Sequence, residues 1–178
     1  MKELIKKIQQ GDEQAFKQLT QSIEHDLYRI AKTRLKDDDD IKDAIQNTMM
    51  YVYRHAKKVK NQEYFKTWMI RILINECNKI YNSNKKNKTL FDKLILNTDF
   101  NSYDSSIQHT NDKMNFETII NTLSYEERLV ITLHFNSRYS CSQIAKILNT
   151  NVNTIKSRLT RSVNKLRKNY KEVNFNEK

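Results

Sequence analysis

The 178-residue chain has one glycine and no proline, so the usual punctuation of hairpins and tight turns is missing. That excludes an architecture of short strands at regular spacing. Its two cysteines, Cys77 and Cys141, stand far apart with no C-x-x-C pair, which argues against a disulfide framework or a zinc site; both read as small packed residues. The histidines (His25, His55, His109 and His134) have no metal-ligand spacing, and there is no glycine-rich phosphate loop or nucleophile elbow. The chain does not read as an enzyme, and no catalytic residue, metal or cofactor is expected. No window approaches 18 apolar residues, and "MKELIKKIQQGDEQ" has neither an apolar run nor a small-residue cleavage site. The expectation is a cytoplasmic protein with no membrane insertion.

What is present favours helices and a polyanionic partner. A hydrophobic fraction of 38% is enough to fold one domain or two small ones, and the abundant Lys, Glu, Gln, Leu and Ile point to an all-α protein. The net charge is +11 and the pI about 9.6, which suits nucleic acid or an anionic surface.

Two helical blocks flank a polar connector. In the first block Phe16, Leu19, Ile23, Leu27, Ile30 and Ala31 form a stripe after Asp12, a candidate N-cap, and that helix should end near Leu35. The run "KDDDDIKD" supplies another N-cap, with carboxylates beside the positive end of a helix dipole; Ile41, Ile45, Met49 and Val52 continue the helical spacing. It lacks the alternating ligands, glycine and distal Glu of a calcium loop. A third helix is expected from about Glu63 to Tyr81, with Phe65, Trp68, Met69, Ile72, Leu73 and Ile80 as its core stripe. Its opposite side mixes Ile70 and Ile74 with Lys66, Thr67, Arg71, Asn75 and Asn78, suited to a base or a partner. Periodicity alone favours a helix packed on both sides, with Trp68 in the core.

Residues 83–113 lose the period and read as a flexible linker with one short helical piece around Leu90 to Leu96. Residues 114–178 carry 11 basic and 5 acidic side chains, the most basic balance in the chain.

The stretch "YSCSQIAKILNTNVNTIKSRL" reads as a helix-turn-helix. Ser140 and Gln143 form a capping box; Ile144, Ala145 and Leu148 give the first helix its inner face. Asn149 falls where a left-handed residue is needed, and Asn153 or Thr154 should cap the second helix. That helix keeps Ile155, Leu159, Val163 and Leu166 on one side, and seven Lys or Arg but no acid fall between Asn153 and Lys171. Thr154, Lys156, Ser157, Arg158 and Arg161 would face a groove, where Arg and Lys neutralise phosphates or contact guanine.

Here the sequence resembles a known family. "LSYEERLVITLHF" followed by "SCSQIAKILNTNVNTIKSRLTRSVNKLR" is similar to region 4 of the extracytoplasmic-function (ECF) sigma factors, in the sigma-70 family of bacterial RNA polymerase. "GDEQAFKQL", "DAIQNTMMYVYR" and "FKTWMIRILIN" resemble region 2 of the same family, in matching order. The departures are Ser124 for the usual Pro, Gln143 for Glu, Asn149 for Gly, Ser162 for Ala, and Lys79 and Asn82 for Asp and Arg.

The resemblance implies two helical domains: region 2 over residues 1–82, the linker over 83–113, and region 4 over 114–178. It further implies that Asp43, Gln46 and Asn47 dock on the β′ clamp helices of core polymerase, with Asn47 replacing a carboxylate, and that the β flap is a second contact. Lys66, Trp68, Arg71, Asn75 and Asn78 would meet the −10 element, with Asn75 near an extruded base, reversing what periodicity alone suggests for this face. Asn153, Thr154, Lys156, Ser157, Arg158, Arg161 and Lys165 would meet the −35 element. An anti-sigma factor is the implied regulator. The alternative is a free-standing LuxR-type helix-turn-helix regulator, which leaves residues 10–82 unexplained.

Overall fold

The computed structural model describes residues 2–95, 120 and 122–175, and all regular structure among them is helical. Helix α1 (Lys2–Gln10) buries Ile5 and Ile8. Gly11 then turns the chain at φ 95°, a left-handed conformation that suits a residue without Cβ. As the sequence suggests, Asp12 caps α2 (Glu13–Lys32), its carboxylate accepting from the Ala15 N–H at 2.9 Å. The acidic run also acts as a cap: Asp37 accepts from the N–H groups of Asp39 and Asp40 at 2.9 and 3.1 Å and starts α3 (Asp38–His55).

Two 3-10 turns, Ala56–Lys58 and Gln62–Tyr64, lead into α4 (Phe65–Ile95). The apolar period fades at Tyr81, yet the helix continues, because no Gly or Pro stops it; Tyr81 to Thr89 are exposed. Along α4, Phe65, Met69, Leu73 and Cys77 face the core formed with α2 and α3, and Trp68, Ile72 and Ile80 are only half-buried. Ile70 and Ile74, on a different side, are also buried, at 4% and 8% exposure. The helix is therefore packed on two sides.

The second half begins with a capping box that the sequence reading passed over. Ser124 and Glu127 exchange side-chain-to-backbone hydrogen bonds at the start of α5 (Tyr125–Ile131), and a π-helical turn, Thr132–Asn136, follows. The Ser140–Gln143 capping box forms as expected and opens α6 (Cys141–Leu148). Asn149 closes it at φ 50°, the left-handed residue of the turn. The long helix α7 (Val152–Phe175) is not capped by Asn153 or Thr154: the Asn151 carboxamide accepts from the Asn153 N–H at 2.8 Å, two positions earlier than expected.

Within α6, Ile144 and Ala145 are buried as expected, whereas Leu148 is half-exposed and Ile147 is 3% exposed. Ile147 lies against α4. Buried side chains from both halves join one hydrophobic cluster.

Arg138 takes φ 58°, a conformation costly for a residue with a Cβ. Arg138→Gly is expected to raise the unfolding free energy by about 0.5–1 kcal/mol, and Asn149→Val to lower it by about 1–2 kcal/mol, in denaturant titrations of the full chain.

Candidate nucleic-acid interface

The solvent-facing side of α7 follows from how its inner side packs. Ile155 and Ser162 are fully buried and Leu159 is half-buried, so the helix is held by one stripe. The buried Ser162 hydroxyl is satisfied by donating to the Arg158 carbonyl at 2.7 Å. Asn153, Lys156, Ser157, Arg161 and Lys165 are exposed, while Thr154 and Arg158 are half-buried. Arg161 lies along its own helix, with Nε donating to the Ser157 carbonyl at 3.4 Å.

Lys165 differs from the others. Its ammonium donates to both carboxylate oxygens of Glu127, at 2.7 and 3.0 Å, and ties α7 to α5. Burial pushes the Glu127 carboxyl up, but the hydrogen bonds from Lys165 and from the Ser124 N–H outweigh it and hold the group below its ordinary 4.5. Here the basic side chain braces the helix-turn-helix.

On α4, Trp68, Arg71, Asn75 and Asn78 recur at helical spacing along one side; Lys66 falls across the helix from Asn75. Arg71 and Asn75 are exposed, Trp68 and Asn78 half-buried. Trp68 leans on Phe65 (ring centroids 5.6 Å apart) and Tyr51 (6.3 Å), and Tyr51 stacks on His55 at 4.1 Å. With Tyr64, Lys58 and Lys60, the rings of Trp68, Tyr51 and His55 line an open groove of about 510 Å³. Tyr51, Tyr64, Lys58 and Lys60 were not singled out from the sequence, since they come from α3, two 3-10 turns and the loop between them, with no shared period. Exposed aromatic residues, Tyr51 and Tyr64 at 46% and 47%, were the available signal.

Asp43, Gln46 and Asn47 are all exposed on one face of α3, and Met50, 45% exposed, extends that face by one turn. No sequence argument had named Met50.

The −10 candidates are not all open to solvent contact alone. Arg71 donates from Nε to the Ile147 carbonyl at 3.3 Å and from Nη2 to the Lys146 carbonyl. A cleft of about 460 Å³ between the halves is lined by Arg71, Asn75 and Asn78 of α4 and by Ile147, Asn149 and Arg158. No cluster of potential metal ligands occurs among the described residues.

A basic, exposed helix face in one half and an aromatic, amide-bearing helix face in the other are arranged as a two-part nucleic-acid-binding protein would have them. The Sigma-70 region 2 family model matches residues 19–87, and the Sigma-70, region 4 family model matches residues 113–166. The chain is 28% identical over 142 residues to the RNA polymerase sigma factor SigV of Bacillus subtilis, covering 80% of this chain and 82% of that one. It is 26% identical over 172 residues to the ECF RNA polymerase sigma-E factor of Haemophilus influenzae, covering 89% of each. Among solved structures, the sigma factor RpoE in complex with the anti-sigma factor NepR, from Bartonella quintana, matches with a TM-score of 0.67 at 25% identity, covering 88% of this chain and 96% of that one. CnrH in complex with the cytosolic domain of CnrY matches with a TM-score of 0.70 at 18% identity, covering 96% and 97%, a likeness of fold.

The chain belongs to the sigma-70 family, as an ECF sigma factor of RNA polymerase. The LuxR-type alternative does not account for the region 2 match over residues 19–87. No described helix is long and apolar enough to cross a membrane.

Because Glu127 titrates below its ordinary value in the folded chain, its pairing contributes stability above pH 4.5 that is lost as pH falls through the lowered folded value. Lys165→Ala should therefore cost about 1–2 kcal/mol at pH 7 and progressively less as the pH falls below 4.5, read by thermal melting across pH.

Proposed function

We propose that this sigma factor divides promoter recognition between two surfaces, with α7 reading the −35 element as duplex and α4 holding the opened −10 strand. Asn153, Thr154, Lys156, Ser157, Arg158 and Arg161 meet the −35 groove, while Lys165 acts chiefly as a brace. Trp68, Arg71, Asn75 and Asn78 meet the −10 element, and Lys66, across the helix, contributes charge from the flank. The observation that carries the −10 assignment is the open groove that Trp68 forms with Tyr51, His55 and Tyr64, edged by Lys58 and Lys60, with the exposed Asn75 farther along the same side of α4. Unstacking a base costs a few kcal/mol, which stacking on aromatic rings and hydrogen bonds to an amide offset; lysines beside the rings attract the backbone. Melting by binding requires no catalytic group, so the protein acts without chemistry of its own.

Core polymerase docks on the α3 face of Asp43, Gln46 and Asn47, with Met50 as its apolar anchor, and the β flap engages region 4. The protein works in the cytoplasm, where it meets polymerase and promoter DNA. A protein of the anti-sigma type is proposed as its regulator; the likeness to RpoE, solved with NepR, supports this.

Run-off transcription with core polymerase on a promoter library tests the reading. Transcripts that depend on the added chain are expected, and core-independent operator binding with no effect on transcription would overturn it. Asn75→Ala should reduce permanganate reactivity of the −10 thymines while leaving −35 occupancy unchanged; equal melting at equal occupancy would remove Asn75 from the site. Arg158→Ala, by contrast, should cost on the order of 1–3 kcal/mol and relax preference at one or two −35 positions, measured over single-base variants in the holoenzyme.

A further inference from the structure

The aromatic groove is walled by two kinds of structure. Tyr51, His55 and Trp68 stand on α3 and α4, whereas Lys58, Val59, Lys60, Asn61 and Tyr64 come from the two 3-10 turns and the loop between them. Turns this short are not stable by themselves. Within them only Ala56 is buried, and Val59 in the loop is half-buried. Apolar packing therefore holds the start of the segment better than its end.

Gln9, in the last turn of α1, supplies a polar fastening. Its Nε2 donates to the carbonyls of Ala56 and Val59, at 3.1 and 2.7 Å, and its Oε1 accepts from Gln62 Nε2 at 3.4 Å. One half-buried carboxamide thus places both donors on the first turn and its cap, and an acceptor on the second turn. The Ala56 carbonyl that Gln9 reaches is also the one that closes the first turn, accepting from the Val59 N–H at 3.2 Å; the Tyr64 N–H donates to the Asn61 carbonyl at 3.1 Å in the second. Lys2, on the same side of α1, pairs with Glu63 at 2.8 Å, but both groups are exposed and the pair adds little. Gln9 itself does not line the groove.

We propose that Gln9 is a positioning residue for the groove: from α1 it fixes the spacing of the two turns, and thereby the base preference at the position the groove receives. The inference rests on reading the groove as the site of the opened −10 strand. A pocket discriminates among bases only while its walls keep to one geometry within about 0.5 Å, and walls that move to fit each base bind them all alike. Holding the turns in place before the strand arrives also removes an ordering cost from binding.

Gln9→Met keeps the length of the side chain and removes all three hydrogen bonds. In the free chain it should speed amide hydrogen exchange at Val59 and Tyr64 about tenfold, with exchange in the buried middle of α3 unchanged. In the holoenzyme, run-off transcription over promoters randomised in the −10 region should show preference falling on the order of tenfold at one or two −10 positions, with −35 preference unchanged. Gln9→Lys, whose ammonium can donate to both carbonyls, should restore the preference, since its added charge attracts every sequence alike.

Unchanged −10 preference in Gln9→Met overturns the proposal. A uniform loss of transcription with the preference intact also overturns it, as does a lost preference that Gln9→Lys fails to restore. Tyr64→Ala takes a ring from the groove itself and tests the reading beneath. If that variant keeps the wild-type −10 preference, the groove is not the strand's site and both readings fall. If it relaxes the preference while Gln9→Met does not, only the role of Gln9 falls.

Discussion

Helix α4 has to satisfy three neighbours at once, and much of the molecule follows from how its circumference is divided. One sector, carrying Phe65, Met69, Leu73 and Cys77, closes the core with α2 and α3. A second, carrying Ile70 and Ile74, is apolar enough to need cover and lies toward α6. The third carries Trp68, which lines the aromatic groove, and the exposed Asn75, which lines the cleft against region 4. A helix turns 100° per residue, so the three sectors interleave along one stretch of sequence and their border residues serve two masters. Arg71 and Asn78 are such border residues: they share a side with Trp68 and line the cleft against region 4.

Local signals made most of the fold legible. The Asp12 and Asp37 caps, the Ser140–Gln143 capping box and the left-handed Asn149 each follow from hydrogen bonds or sterics within a few residues, and all are present. What failed to register was either competition among equivalent neighbours or contact across the chain. In "NTNVNT" three asparagines can cap a helix, and Asn151 wins because its carboxamide reaches the Asn153 N–H. Glu127 and Lys165 are 38 residues apart, Arg71 and Lys146 75, Arg128 and Thr33 95, and no period links such pairs. The same holds for the candidate site. Residues of α7 and α4 could be chosen by face and by resemblance, whereas Tyr51, Tyr64, Lys58 and Lys60 join Trp68 only through the turns after α3.

Charge in region 4 has two uses that composition cannot separate. Lys165 is drawn inward by Glu127, whose carboxylate would otherwise be buried with only its capping bond. Lys156, Ser157 and Arg161 remain outside, on a helix whose orientation that pair helps to set. Rigid presentation matters for groove reading, since a forked contact to a base edge tolerates little tilt of the helix that carries it. A basic side chain spent on bracing thus fixes the direction in which the exposed Lys156, Ser157 and Arg161 are presented.

The same economy governs the contact between the halves. An interface of large apolar area would be too stable to part, and one of isolated surface charges too weak to form. Arginines on helix C-termini lie between these limits: the guanidinium groups of Arg71 and Arg128 and the carbonyls they reach satisfy one another across the contact, and water can satisfy either group where it is exposed. Arg34 Nε, between Tyr81 and Tyr125, is the exception, buried with no hydrogen-bond partner among the described residues. Ile74 and Ile147 add apolar burial to this contact, within a hydrophobic cluster that draws on both halves. Arginine suits such a contact because its planar fork presents several donors at once: Arg71 reaches two successive carbonyls, of Lys146 and Ile147, with a single side chain.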